Sequence, residues 1–323
     1  MAAKSAAIFF IVCYYPWPRN RWTKTMWFNN AHTYNFTKPF NTSEADLDFA
    51  LQEHLFRPCG SQDQQKQGWV PPIPGTDALV HSANNNILLC LKTQEKILPT
   101  SVIKEALDEK VQVIENERGQ KVGKKEKQTL KEEIVQQLLP KAFTRNSRLY
   151  AYINVTDQFI VVNTSSANKA ETFLAMLRQS LGTLPILPMK PEGDLIVTLT
   201  GWVKDDKLPQ PFAFAHDIEL KALDEEAAVA KLKNHDVKEE EVQLHISNGK
   251  FVHKLGLVWD EKAKFVLNEE GALKQIKFLD IVKEQNDDVA ADDHLAKFDA
   301  DYALMTGELN QLLGQLANCW QNP

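Results

Sequence analysis

Three groups of side chains in this 323-residue chain have types and spacings that could do chemistry. The first is acidic: Asp287-Asp288, Asp292-Asp293, Asp299 and Asp301. Paired carboxylates share hard oxygen ligands to Mg²⁺, which is how metal-dependent nucleases activate water. The same acids suit the start of a helix, where negative charge meets the positive end of the dipole. The second group is the eight histidines. They never recur with cysteine at a metal-ligand spacing, and His245 and His253 fall in separate expected elements, so no metal site is expected. The third group is cationic. Lys231 and Lys233, Lys250 and Lys254, and Lys274 and Lys277 sit on expected strands. Lys141, Arg145 and Arg148 follow a helix end, and Lys169 and Arg178 lie on the next helix. Cations placed to meet phosphates suffice for sequence-independent DNA binding, because counterion release supplies the driving force. Alternation along a regular strand puts Lys231 with Lys233, and Lys250 with Lys254, on one face; Lys274 and Lys277 would point to opposite faces.

The rest of the motif inventory is negative. Gly119 and Gly123 frame only three residues and lie between helices, so Lys124 and Lys125 belong to a basic turn and not to a P-loop. The chain carries no GxGxxG, HExxH or GxSxG pattern. It also lacks a helix-turn-helix signature, a zinc finger and an RNP aromatic motif, so base-edge readout is not expected. No catalytic group and no cofactor are expected.

The net charge of -6 argues on its face against nucleic acid, yet the charge is segregated. Residues 140–190 carry six basic side chains against two acidic; residues 284–308 carry one against eight. Such a molecule could show DNA a basic face and keep an acidic back. Cys13, Cys59, Cys90 and Cys319 are far apart and form no CxxC, which suits a reducing cytoplasm. The apolar run from Ala6 to Tyr15 imitates a signal-peptide core but is too short to span a bilayer. Residues 1–25 are expected to be a poorly ordered extension.

Positioning these groups falls to elements the pattern predicts. Residues 43–56 read as a helix capped by Ser43 with Asp46 three residues on, with Leu47, Leu51 and Leu55 as an apolar stripe at i, i+4, i+8. A Gly/Pro-rich loop spans 60–74, and Ile87 to Leu91 reads as a buried strand. Residues 99–140 read as a helical hairpin, capped by Thr100 or Ser101, with a basic turn (Arg118, Lys121, Lys124, Lys125, Lys127) and a stop at Pro140. Period-two runs at 149–153 and 158–162 read as a β-hairpin, and residues 167–181 as a helix stopped by Gly182. Further strands are expected at 195–200, 229–233, 251–259, 264–267 and 273–278, and a closing helix at 293–319. This irregular interleaving predicts an α+β fold with mixed or antiparallel sheets and a projecting helical hairpin. The expected divisions are 1–25, 26–98, 99–140 and 141–323.

Several segments carry a family resemblance in order along the chain: Arg57-Pro58-Cys59-Gly60-Ser61-Gln62-Asp63, Gly68-Trp69-Val70-Pro71-Pro72, Glu95-Lys96-Ile97-Leu98-Pro99 and Leu138-Leu139-Pro140-Lys141-Ala142-Phe143. Phe298-Asp299-Ala300-Asp301 and Leu304-Met305-Thr306-Gly307-Glu308-Leu309 complete the set. From about Met26 to the C-terminus the chain closely resembles the bacterial recombination-associated RdgC family. That resemblance implies a homodimeric ring with a basic hole around duplex DNA, in the cytoplasm and associated with the nucleoid, that restrains RecA without enzymatic activity. It implies that Phe143 helps to close the ring at a subunit contact. The family's Lys-Lys-Gln stretch near the opposite contact or the hole corresponds here to Lys233-Asn234-His235, with Asn234 in place of a lysine. Two other readings stay open: a protein-interaction scaffold acting through residues 99–140, and a metal-dependent nuclease using the acidic cluster.

Overall fold

The computed structural model describes residues 26–223, 228–286 and 294–321. Residues 1–25, Asp287, Asp288, Asp292 and Asp293 lie outside them, and so do the expectations attached to those positions. In chain order the strands and helices are β1 (His32–Phe36), α1 (Glu44–Gln52), β2 (Gln65–Trp69), β3 (Val80–Ala83), β4 (Asn86–Ile97), α2 (Thr100–Arg118), α3 (Lys124–Leu138) and β5 (Phe143–Asn154). There follow β6 (Phe159–Val162), α4 (Ala167–Leu181), β7 (Ile186–Pro188), α5 (Leu195–Lys204), β8 (Phe212–Ala222) and β9 (Val229–Lys233). The chain continues with α6 (Glu240–Ser247), β10 (Lys250–Trp259), β11 (Ala263–Asn268), β12 (Leu273–Phe278), α7 (Asp280–Lys283) and α8 (His294–Gln321). The fold is α+β, and its strand ladders are antiparallel.

The first sheet has the order β2-β4-β5-β6-β1-β7, with β3 also pairing β4. Its long members, β4 and β5, stay in register from Asn86↔Asn154 to Ile97↔Phe143. Where other elements cover them they are buried on both faces. Leu89, Leu91, Ala151 and Ile153 face α1 and α4, beside Leu47, Leu51, Phe173 and Leu177. Leu88 and Tyr152 face the other way and join the cluster that contains α8. Beyond this region, Phe143 to Arg148 are all exposed. Helices α2 and α3 leave and re-enter at this end, and Val111 of α2 and Leu130 of α3 pack in one cluster with Val122 of the turn between them.

The second sheet has the order β12-β11-β10-β8-β9. Its inner face (Ile218, Leu220, Val252, Leu255, Leu257, Phe265, Leu267, Leu273 and Ile276) is apolar and buried. Helix α8 presents Tyr302, Met305, Leu309, Leu312, Leu313 and Leu316 to the same core, a stripe at helical spacing. Two polar contacts anchor α8 to the two sheets: the Tyr152 hydroxyl donates to Asn310 Oδ1 at 2.8 Å, and Trp259 Nε1 donates to Gln315 Oε1 at 2.5 Å. Burying a large apolar side chain contributes about 1.5–3 kcal/mol, so this stripe is a principal source of stability. The sheets are also stitched at an edge: Ala31, just before β1, exchanges backbone hydrogen bonds with Leu273 of β12 at 2.8 and 3.0 Å.

Local chemistry explains the ends of these elements. Ser43 caps α1 as expected, its hydroxyl accepting from Asp46 N at 3.2 Å, but the helix stops at Gln52. The expected cap at Thr100 or Ser101 is not used: Pro99 takes the N-cap position without a side-chain bond. Within the expected loop 60–74, residues 65–69 form β2. Gly68 is required there, because a Cβ would lie 2.4 Å from Phe56 Cα. The expected strand 195–200 is a helix: Asp194 caps it, and Leu195, Leu199, Trp202 and Val203 bury one face at helical spacing.

Candidate nucleic-acid interface

The outer face of the second sheet collects the strand-borne lysines. Pairing sets which side chains share that face. Lys233 lies opposite Asp217, Lys231 opposite Glu219, and Lys221 opposite Val229. Their neighbours Ile218 and Leu220 point inward. On β10, Lys254 lies opposite Glu219. At the other edge, Lys264 of β11 lies directly opposite Lys277 of β12, and Val266 opposite Lys274. Seven lysines (Lys221, Lys231, Lys233, Lys254, Lys264, Lys274 and Lys277) thus share a face on which Asp217 and Glu219 are the acids.

Two bulges overturn the alternation argument. Between Val252 and Lys254 the ladder shifts, with His253 as the extra residue. Lys250 therefore keeps company with inward-facing Val252, and its ammonium reaches His245 Nδ1 of α6 at 3.1 Å. Lys250 and Lys254 lie on opposite faces, not on one. In β12 the step from Lys277 to Lys274 matches only two residues of β11, and Gln275 takes a positive φ of 55°. One extra residue restores Lys274 to the face of Lys277, so this pair shares a face after all.

The electrostatics of the face are not self-neutralised. Like charges directly opposite across an antiparallel pair are destabilising, and Lys264 faces Lys277 with Lys274 at the next position. Among the described residues these three lysines make no ion pair. Near β9, Glu219 accepts from Lys254 Nζ at 2.9 and 3.0 Å and lies 3.4 Å from Lys231 Nζ. Burial pushes the Glu219 carboxyl up, but the two lysines outweigh burial and hold it below the usual carboxylate value.

The other expected cations are dispersed. Arg148 lies directly opposite Lys92, a second like-charge pair, on the α8-facing side of the first sheet. Burial, then the Arg148 charge, hold the Lys92 ammonium below its usual value, and that ammonium sits 4.1 Å from the Phe56 ring centre. Arg145 points to the other side and pairs with Glu95 at 2.9 Å. Lys141 is exposed before β5, while Lys169 and Arg178 are exposed on α4, the helix that covers the opposite side of the first sheet from Arg148.

Phe143 opens β5 opposite Ile97 and is 85% exposed, so it belongs to no core. Lys233 ends β9 at the edge of the second sheet. Asn234 adopts a positive φ of 52°, a conformation that asparagine tolerates better than most residues. His235 lies 3.3 Å from Glu239 and 3.7 Å from Glu241.

Of the acidic cluster, the described members are engaged structurally. Asp299 pairs with His81 at 2.9 Å, and Asp301 accepts from Asn286 at 3.3 Å. Among the described residues, no three His, Cys, Asp or Glu side chains converge as a metal site. No described helix is long and apolar enough to cross a membrane.

Sequence reasoning missed Lys264, Lys221 and Lys92. Lys264 was visible, since Ala263, Phe265 and Leu267 alternate around it. Lys221 lies in β8, an unrecognised strand, and the partner of Lys92 is set by long-range pairing.

A family model described as "Putative exonuclease, RdgC" matches residues 26–322. A recombination-associated protein RdgC from Colwellia psychrerythraea is 44% identical over 292 residues, 90% of this chain and 95% of the relative. Those of Sodalis glossinidius and Aeromonas hydrophila are 42% and 43% identical, each over 90% of this chain and 96% of the relative. With a match from Met26 almost to its C-terminus, this chain belongs to the RdgC family of recombination-associated proteins.

Proposed function

We propose that the protein binds duplex DNA without sequence preference through the outer lysine face of the second sheet. The observation that carries this reading is the Lys264/Lys277 pair with Lys274 beside it: a fold keeps like charges opposed at a cost that a bound polyanion relieves. Backbone contact fixes position without reading bases, which fits a face of lysines. In this reading the protein is non-enzymatic, needs no cofactor, is cytoplasmic and nucleoid-associated, and restrains RecA-dependent recombination by occupying DNA. Two subunits close a ring around the duplex, one contact at exposed Phe143 and the other at the β9 end, Lys233-Asn234-His235. Encirclement resists dissociation topologically, so each phosphate contact can be weak. The packed helices α2 and α3, with their basic turn, would project from the body beside the Phe143 contact.

The test is binding to two unrelated duplexes across a salt series, with oligomeric state measured in parallel. The expected result is a dimer with a steep slope common to both sequences; neutralising Lys264, Lys274 and Lys277 together flattens it by roughly 2–3, at about 0.9 per phosphate contact. No binding at low salt overturns the reading and moves the α2–α3 scaffold to the front. Mg²⁺-dependent shortening of an end-labelled duplex would favour the nuclease reading, in keeping with the description that the matching family model bears.

A further inference from the structure

The lysine face carries its own counter-ion. We propose that Glu219 is an internal stand-in for a backbone phosphate, which holds Lys231 and Lys254 in an intramolecular pair and so limits the affinity of the face for DNA. This inference rests on the DNA-binding reading above. Glu219 projects from the middle of β8, between β9 and β10, with a lysine from each neighbour converging on it. Its side chain is only 20% exposed, against 62% for Lys231 and 39% for Lys254, so the carboxylate is the recessed member of the trio. The trio therefore offers solvent two ammonium groups already drawn toward an anion. That geometry resembles a lysine pair on a phosphate, with the carboxylate on the protein side.

At the other edge of the sheet, Lys264, Lys274 and Lys277 have no such carboxylate among the described residues. The face thus has an uncompensated edge at β11–β12 and, at β8–β10, two lysines compensated by Glu219. A phosphate approaching these two lysines must share them with Glu219 or draw them away from it. Asp217, across from Lys233, makes no ion pair among the described residues and does not duplicate the role.

The experiment compares the full-length wild type with Glu219→Gln, the double variant Lys231→Gln/Lys254→Gln and the triple variant, using one duplex across a salt series. The glutamine keeps size and hydrogen bonding and removes the charge. Glu219→Gln is expected to bind severalfold tighter at intermediate salt, with a slope steeper by roughly 1–2 as one or both freed lysines engage phosphates. The gain should vanish in the triple variant, while the double variant, which leaves the Glu219 charge bare on the face, should bind more weakly than wild type. Thermal unfolding checks that each variant is folded; if Glu219→Gln is not, Glu219→Ser is read in the same assay. Wild-type binding with unchanged or weaker binding by the charge-neutral variant overturns the inference and leaves the DNA-binding reading standing. A gain that survives in the triple variant overturns it too. No binding by any protein at low salt overturns both.

Discussion

Lys264 is where stability and binding pull in opposite directions. Replacing it with glutamine removes the repulsion from Lys277 and is expected to raise the free energy of unfolding by a few tenths of a kcal/mol. The same change should lower the salt slope of DNA binding by about 0.9. Urea unfolding and a binding series on one preparation check both signs. His32 gives a second prediction at this scale. Burial, then the Lys274 charge, hold its imidazole below the ordinary value of 6.5, and its Nε2 has no hydrogen-bond partner. Glu270 and Glu171 oppose that shift without cancelling it. The unfolded chain therefore binds the proton more readily, and stability falls as pH drops below about 6.5. Substituting His32→Gln should flatten that part of a stability-versus-pH curve measured by chemical denaturation.

At the scale of elements, capping and periodicity decided what was legible. Helix α4 was visible from Ala167 to Leu181 because Gly182 ends it and Phe173, Leu174 and Leu177 mark one face. Strands β9 and β12 were visible because Asn234 follows the first and Gly271 stands two residues before the second. Helix α5 was not: Leu195 to Thr200 is a short apolar run whose period is ambiguous over six residues, and the capping role of Asp194 was overlooked. Replacing Asp194 with alanine removes the acceptor that Ile196 N uses at 3.0 Å, and should cost about 1 kcal/mol in thermal unfolding. The bulges at His253 and Gln275 were illegible for a different reason. An extra residue in a strand is defined only by its partner, and the partner lies elsewhere in the chain. The candidate site was therefore half visible: its lysines were named, but their faces were assigned by a rule that the bulges reverse. Gly68 is a similar case, since the sequence marks a glycine but not the Phe56 backbone above it. A Gly68→Ala variant is expected to lose more than about 1 kcal/mol, because the clash is with backbone and not with a flexible side chain.

For the whole molecule, the decisive question is whether two copies close into a ring. An 85% exposed phenylalanine contributes nothing to the fold of its own subunit, so Phe143→Ala should leave the melting temperature of the monomer unchanged. If Phe143 closes a subunit contact, the same change should weaken association in sedimentation and shorten residence on closed circular DNA more than on short linear duplex. An unchanged assembly would remove Phe143 from the contact. The segregation of charge belongs to this scale too. A net charge of -6 gave no sign of a surface on which seven lysines meet two acids, because bulk charge averages over faces that point in different directions.

The stitch between Ala31 and Leu273 has a consequence in time. During synthesis the residues just before β1 leave the ribosome about 240 residues ahead of the strand that completes their pairing. At roughly 5–20 residues per second, they wait on the order of 10–50 s with a strand edge unpaired. Helix α8, whose stripe fills the space between the sheets, is made later still. The first part of the described chain to be born is thus among the last to be closed, and a nascent chain halted before β12 should expose it to protease.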